Sequence, residues 1–483
     1  MKFEYGVDLI QLSDNVYCLN NAYRQTQIFG NRKLKEDFEK ICKNNSVDTD
    51  VYNILLQNNF LTDKPTDAYK QKLLQDSLKY STKPEFNLLR ILLTDVCNLN
   101  CDYCKVVKLI DVPSAKPTKK ERLEEAIKFF FENSIQNEPK IIHITGGEPT
   151  LFFDSIKQIV QFKNKYMRPN ENCWIVVGTN AIAITPDKAK FFAKNNIKCI
   201  VSMDGPENTH NLLRKNHAGH GTWATVDKNI KLLQSYGVEI SISAVMGKHT
   251  IYKADENISF LVNEYNPTGL GINFMKPPTT NSADYEYLID EKLYAETMYK
   301  LHQKYRNRGV FFELIFRHLE PFVQQDFRFH DCGAAASKNL NIDAKGNIGP
   351  CKSFLLLNKM AMKNISLQEY TDIVSTNWEK RSPIHFAPCQ TCKSIGICGN
   401  GCAYDAFINN KDMLAIDTRG CKYVKYFYQL FLQDLYEISH KTHTGQDIFI
   451  PTQSDRLQML GKVREIQNSL SYSIGHQTKL FQK

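Results

Sequence analysis

Along this chain the rhythm of apolar and polar positions changes several times. Short β-type runs at Val7–Leu12 and Val16–Leu19 come first, followed by helical periods at Lys33–Cys42 and Asp50–Leu56, and Phe60-Leu61-Thr62 closes the set. Strands before helices in so short a stretch predict a small winged-helix-like module over residues 1–84. A different pattern runs from 85 to 310. Apolar, β-branched runs at Leu88–Leu93, Ile141–Thr145, Trp174–Gly178, Cys199–Met203, Val238–Val245 and Gly269–Phe274 alternate with helical stretches such as Lys119–Asn133, Pro186–Asn195, Ala224–Ser235 and Glu291–Arg306. That alternation predicts an α/β fold with parallel strands and right-handed crossovers. Six units are too few for a closed eight-stranded barrel, so an open, partial (β/α)6 barrel is expected.

Periodicity fades between about 330 and 425, where Cys, Gly and Pro rise. A stretch that buries little apolar surface usually needs metal to hold it. We therefore expect a cysteine-rich domain over 311–438, ending in an aromatic helix at Tyr423–Ile438. A polar tail, 439–483, follows, with Leu457, Leu460 and Val463 spaced for one more amphipathic helix.

Composition narrows the class. Lys+Arg number 61 against 52 Asp+Glu, a net +9 that is mild over 483 residues. Such a balance helps to hold an acidic peptide or an anionic cofactor and does not call for nucleic acid. No apolar run approaches the ~18 residues of a membrane span. Glu4 and Asp8 interrupt the segment where a signal peptide would be apolar, so a cytoplasmic protein is expected. Its fourteen cysteines then point to catalysis or metal binding and not to disulfides. Cys18, Cys42, Cys173 and Cys199 fit no spacing and are expected to be ordinary buried thiols.

The rest are clustered. After the first barrel strand stands Thr94-Asp95-Val96-Cys97-Asn98-Leu99-Asn100-Cys101-Asp102-Tyr103-Cys104, spaced Cys-x3-Cys-x2-Cys. Three thiolates so close can wrap one metal centre, and thiolates suit zinc or iron–sulfur. Structural zinc takes four ligands, so three with no local fourth leave a coordination position open unless a distant ligand finishes a zinc site.

This motif, with an aromatic residue before its last cysteine, resembles the signature of the radical S-adenosylmethionine (SAM) superfamily. The resemblance implies that Cys97, Cys101 and Cys104 hold a 4Fe-4S cluster whose free iron is chelated by SAM. One electron then cleaves the C5′–S bond, and the 5′-deoxyadenosyl radical abstracts a hydrogen atom. Thr145-Gly146-Gly147-Glu148 after the second strand is similar to the family's GGE motif, with Glu148 receiving the SAM ammonium. Taken alone, Gly146-Gly147 is a turn. Asn180 ends the third strand, and Ser202 and Asp204 end the fourth. By resemblance Tyr103, Asn180 and Asp204 belong to the same site, Ser202 meets the ribose and Arg214 the SAM carboxylate, although Arg214 beside Lys215 also reads as an exposed charge.

In the C-terminal zone Cys332-x13-Gly346-x4-Cys351 precedes Cys389-x2-Cys392-x5-Cys398-x3-Cys402-x18-Cys421. Gly346, in Asp343-Ala344-Lys345-Gly346-Asn347, predicts a hairpin turn toward Cys351. Gly396, Gly399 and Gly401 are expected to let backbone close around inorganic sulfide. The spacing resembles the SPASM extension of radical SAM enzymes. By that resemblance Cys389, Cys392, Cys398 and Cys421 hold one auxiliary 4Fe-4S cluster. Cys332, Cys351 and Cys402 hold a second, one ligand short, for three clusters in all. Sulfatase maturases carry another cysteine six residues after the first, where this chain has Lys338. Two zinc knuckles that merely stabilise the fold are the plainer reading of the same cysteines.

SPASM proteins modify peptides and proteins, and those that mature ribosomal (RiPP) peptides often begin with a module that grips a leader peptide by strand addition. The resemblance therefore implies a maturase that takes hydrogen from a precursor peptide and installs a C–C, thioether or ether cross-link or a related change. A flavodoxin or ferredoxin-type donor would supply electrons. Asp405 is the candidate base, with an exposed or structural Asp as the alternative. Other readings are an anaerobic sulfatase-maturating enzyme and, from another class, a multicluster iron–sulfur electron carrier.

Overall fold

The structure, a computed structural model, describes residues 2–82, 84–106, 116–276 and 285–462. Its N-terminal part is a sheet module. Strand β1 (Lys2–Phe3) pairs with β5 (Leu61–Thr62), while β2 (Val7–Ser13), β3 (Val16–Asn21) and β4 (Thr26–Gly30) form an antiparallel meander. Helices Arg32–Cys42 and Thr49–Gln57 begin where Asn31 and Asp48 accept hydrogen bonds from Lys33 N and Asp50 N. Tyr17, Leu19, Ile28, Leu34, Val51, Leu55 and Phe60 pack the small core between helices and sheet. Cys18, Cys173 and Cys199 are buried as expected, but Cys42 is exposed because it ends its helix on the polar face.

The barrel strands are β6 (Leu88–Thr94), β7 (Lys140–Gly146), β8 (Cys173–Thr179), β9 (Lys198–Ser202), β10 (Ile240–Met246) and β11 (Leu270–Phe274), all in parallel register with their neighbours. The sheet is larger than six strands. Strand β12 (Asn339–Ile342) adds in parallel to β6, and β13 (Ile348–Gly349) adds antiparallel to β12, giving the order β11-β10-β9-β8-β7-β6-β12-β13. The cysteine-rich zone is thus welded to the barrel edge by main-chain hydrogen bonds. The turn expected at Gly346 joins β12 to β13: Gly346 takes φ +89° and Asp343 Oδ1 accepts from Lys345 N and Asn347 N. That zone is also more regular than its sequence promises, since Tyr370, Val374 and Trp378 bury one face of the helix Leu367–Trp378.

The strand faces divide sharply. Outward side chains such as Leu89, Ile91, Ile142, Ile144, Val177 and Val201 join the main core under the helices. Inward, Leu88, Ile141, Val176, Trp174 and Ile200 form a separate apolar plug at the bottom of the barrel. Above the plug the inward positions turn polar: Arg90, His143, Ser202, Ser243 and Asn273 keep accessible surface although they lie inside the body.

The tail is tied down. Strand β14 (Ile448–Phe449) pairs antiparallel with β4, Ile448 opposite Gly30 and Phe449 opposite Phe29, so it becomes an edge of the N-terminal sheet. Arg456, 2% exposed, donates to Gln27 Oε1 at 2.7 Å and to the Phe322 carbonyl at 3.2 Å, and burial pushes its pKa down to about 10. The expected amphipathic helix is short, Gln453–Gln458, with Leu457 half-buried and Leu460 buried; Val463 lies outside the described residues.

Two predictions follow from this packing. Phe449 is 4% exposed against Phe29 and His443, so Phe449→Ala is expected to cost about 3 kcal/mol. Urea denaturation of the full chain measures it, and a loss below about 1 kcal/mol would mean that the strand contributes no packing. His302, fully buried with Nε2 2.8 Å from the Met459 carbonyl, has its pKa lowered to about 4 by burial. Between pH 6.5 and 4 the unfolded chain therefore binds the proton and the folded one does not. Stability falls as pH drops through that window, by about 2 kcal/mol from pH 7 to 5, and His302→Phe removes that part of the slope.

Candidate functional site

Strand β6 delivers the cysteine loop to the C-terminal rim of the barrel, and two neighbours hold it. On one side Asn100 N donates to the Lys215 carbonyl at 2.9 Å, Asp102 N to the Leu213 carbonyl at 3.1 Å, and the His217 ring lies 2.9 Å from the Cys97 carbonyl. On the other, Gly147 N donates to the Thr94 carbonyl at 2.6 Å and Glu148 N to the Val96 carbonyl at 2.8 Å. A Cβ on Gly147 would collide with the Val96 carbonyl, and one on Gly146, at φ +131°, with that of Thr94. Glycine stands at both positions because two backbones interlock there.

Glu148 is fully buried and accepts four hydrogen bonds: Thr150 N, Thr150 Oγ1 and Thr179 Oγ1 reach Oε1, and Asn180 N reaches Oε2 at 2.7 Å. Burial nonetheless pushes its pKa up, and a cation at Oε2 would relieve that. The Asn180 side chain donates to Asn98 Oδ1 at 2.8 Å and lies 3.6 Å from Cys97 Sγ, which links the third strand end to the first cysteine. Thr145 and Ser202 are half-exposed on the same rim.

Tyr103, Asp204 and Arg214 close into a buried knot. Tyr103 OH donates to Asp204 at 2.5 Å, Arg214 Nε and Nη2 donate to its two oxygens at 2.9 and 3.1 Å, and Val245 N adds a fourth bond at 2.9 Å. Burial raises the Asp204 carboxyl, Arg214 outweighs it, and the pKa ends below the usual carboxylate range. Two guanidinium nitrogens are thereby committed, so Arg214 first secures Asp204 and, through it, the aromatic residue of the cysteine loop. It is 7% exposed and not a solvated surface charge.

The thiols fall into groups. Cys97, Cys101 and Cys104 act on one another, and burial pushes Cys97 up to about 12 and Cys101 to about 11. Cys389, Cys392, Cys398 and Cys421 form a second group, and Cys332 and Cys351 a third. Cys402 has Asp405, Lys276 and Asp417 as its nearest charges. Among the described residues no three Cys, His, Asp or Glu side chains surround a single ion. Buried thiols that resist ionisation need positive charge to become thiolates, which a metal centre supplies, and thiolates suit zinc or iron–sulfur. At Gly396, Gly399 and Gly401 the space a side chain would need is filled by Gln25, by the His330–Asp331 backbone and by Asp417, so close protein packing explains these glycines. Lys338 is paired with Glu85 at 3.3 Å.

Asp405 is ion-paired with Lys276 and has Lys105 at 4.0 Å. Burial raises its pKa, the two ammonium groups outweigh it, and the carboxylate is left ionised but weakly basic. Burial, with Lys276 adding, brings Lys105 down to about 8. Sequence reasoning missed the polar lumen layer. Its signal is present in the strands Leu-Leu-Arg-Ile-Leu-Leu-Thr and Lys-Ile-Ile-His-Ile-Thr-Gly, where one charged or polar residue interrupts an apolar run at an inward position.

A family model described as the Radical SAM superfamily matches residues 91–261. The cysteine-type anaerobic sulfatase-maturating enzyme of Clostridium novyi is 27% identical over 63% of this chain and 84% of its own length. The radical SAM cyclopropyl synthase TigE of Paramaledivibacter caminithermalis is 20% identical over 89% of this chain and 90% of its own. In fold the chain is similar to anSMEcpe with bound AdoMet and the Cp18Cys peptide (TM-score 0.61, 22% identity, 74% of this chain, 100% of that one). It is also similar to Streptococcus suis SuiB bound to precursor peptide SuiA (TM-score 0.53, 16% identity, 85% and 99%). This chain is a radical SAM enzyme, similar in sequence to the anaerobic sulfatase-maturating enzymes and TigE and in fold to SuiB.

Proposed function

We propose that this radical SAM, peptide-modifying enzyme matures a ribosomally made precursor peptide, installing a cross-link or related modification, with residues 1–84 gripping the leader. The observation that carries this reading is the open edge of the N-terminal sheet. Strand β2 lies at the end of the order β14-β4-β3-β2, half-exposed, with no further strand beside it among the described residues. An extended peptide can add there through main-chain hydrogen bonds. Tyr23 OH donates to the Gln390 carbonyl at 2.9 Å and Lys393 pairs with Asp8 of β2 at 2.8 Å, so this edge abuts the Cys389–Cys392 loop. The similarity to TigE extends over 89% of the chain against 63% for the Clostridium novyi relative, which favours a maturase over sulfatase maturation.

SAM and a four-iron cluster, when bound, supply one electron and a carbon radical that takes a hydrogen atom. The chain's residues do the holding. Cys97, Cys101 and Cys104 would carry the cluster, Glu148 would receive an ammonium through Oε2, and the Asp204–Arg214–Tyr103 knot keeps the loop in place. Cys332, Cys351 and Cys402 would hold one auxiliary cluster and Cys389, Cys392, Cys398 and Cys421 another, for three in total. A flavodoxin or ferredoxin-type donor in a reducing cytoplasm completes the proposal. Among the described residues no helix is long and apolar enough to cross a membrane.

After anaerobic reconstitution with iron and sulfide, the reduced protein is expected to convert SAM to 5′-deoxyadenosine, and Cys101→Ala to lower that rate at least ~100-fold. A protein that only stores electrons would be a carrier instead. Co-expression with a candidate precursor peptide should yield, by mass spectrometry, a peptide lacking two hydrogens per new bond. Removing the leader is expected to reduce the yield at least ~10-fold. Modification of a neighbouring sulfatase instead would reverse the assignment.

A further inference from the structure

Arg90 sits in the middle of β6, a strand otherwise built of Leu, Ile and Thr, and its side chain enters the barrel above the apolar plug. A guanidinium in such a place normally has a carboxylate partner. Here its hydrogen bonds are long and go to neutral atoms: Nε to His143 Nδ1 at 3.4 Å and Nη1 to Asn341 Oδ1 at 3.5 Å. Among the described residues no carboxylate reaches it within ion-pair distance. The opposite charges it feels are first those of Cys332 and Cys351 and then that of Glu313, which already binds Arg317 at 2.8 Å. Lys352 faces the same region, and its ammonium also finds no carboxylate. Asp405, the acid on the rim above, is held by Lys276.

The lumen here is open. Arg90 and His143 lie deep in the body yet are only half-buried, and Asn273 and Lys352 are exposed within it. Asn341 connects this layer to the auxiliary cysteines: it accepts from Arg90 and donates to the Pro350 carbonyl, one residue before Cys351, at 2.7 Å. Ser243 Oγ and Asn273 Nδ2, 3.1 Å apart, supply polar groups on the opposite wall. The result is a polar chamber between the SAM-motif rim and the Cys332–Cys351 pair, with two cations that pair with no carboxylate among the described residues and suit an incoming anion.

We infer that the peptide residue delivered into this chamber carries a carboxylate, from an Asp or Glu side chain or the chain terminus, gripped by Arg90 and Lys352. A planar guanidinium binds a carboxylate through two parallel N–H···O bonds and discriminates against the isosteric amide, which offers one acceptor and brings N–H donors toward a cation. The inference rests on the peptide-maturase reading and narrows its substrate class. A plainer role competes with it: the two cations could serve only to offset the negative charge of an auxiliary cluster held by Cys332 and Cys351.

The test uses the anaerobically reconstituted full-length protein and two probes, N-acetyl-aspartate methylamide and N-acetyl-asparagine methylamide, with binding read by ligand-observed NMR. The aspartyl probe is expected to bind at least ~10-fold more tightly than the asparaginyl one. Arg90→Gln should erase the difference, and Arg90→Lys should retain part of it. Equal binding of both probes to the wild-type protein overturns the inference and requires no variant to fold. A shift of the auxiliary-cluster midpoint in potentiometric EPR of Arg90→Gln, with probe selection intact, assigns Arg90 to charge compensation and overturns it as well. SAM cleavage by the same wild-type sample separates the two levels. Cleavage without carboxylate preference sinks only this inference, whereas absent cleavage removes the reading beneath it.

Discussion

The backbone interlock between two rim loops is the constraint on which the rest of the site depends. Gly147 N and Glu148 N donate to the carbonyls of Thr94 and Val96, so the segment that begins the cysteine motif is hydrogen-bonded to the segment that carries Glu148. The approach is too close for any side chain at Gly146 or Gly147. Glu148 then reaches Thr179 and Asn180, and Asn180 reaches back to Asn98 and Cys97. Three consecutive strand ends are thereby held in one frame. Such pre-organisation suits a cofactor that must be fixed at both ends before a reactive radical is released.

A second knot works from the opposite side of the loop. The Asp204 carboxylate has every bonding position occupied, by Tyr103, Arg214 and Val245 N. A buried carboxylate so fully paired is rigid, and losing one partner would leave an uncompensated charge. Cofactor contact and loop support need not be the same task, and in this geometry Arg214 visibly performs the second.

The remainder of the molecule is arranged around access to the lumen. Strands β12 and β13 extend the barrel sheet and bring the auxiliary cysteines to its edge, while the N-terminal sheet is completed by β14 and packs on the Cys389–Cys392 loop. The Arg456 contacts to Gln27 and Phe322 join the N-terminal sheet to the body that follows the barrel. Among the described residues that buried cation has no carboxylate in ion-pair contact, a costly arrangement that marks the junction as one the fold must keep.

Much of this was legible in the sequence by itself. The six barrel strands, the turn at Gly346 and the cysteine loop that follows the first of those strands all follow from local rules, namely alternation, turn chemistry and spacing, which act within a few residues. What only the tertiary structure decided involves partners distant in sequence. Nothing near Ile448 announces that it pairs with Gly30, and the polar segment that contains it reads as a tail. Asp405 reads as a free acid until Lys276, 129 residues away, neutralises it. Arg90 is one charge in an apolar run until the barrel curves and turns it inward. Backbone propensity and cofactor chemistry are written locally. The charge state, exposure and purpose of a side chain depend on what the fold places against it.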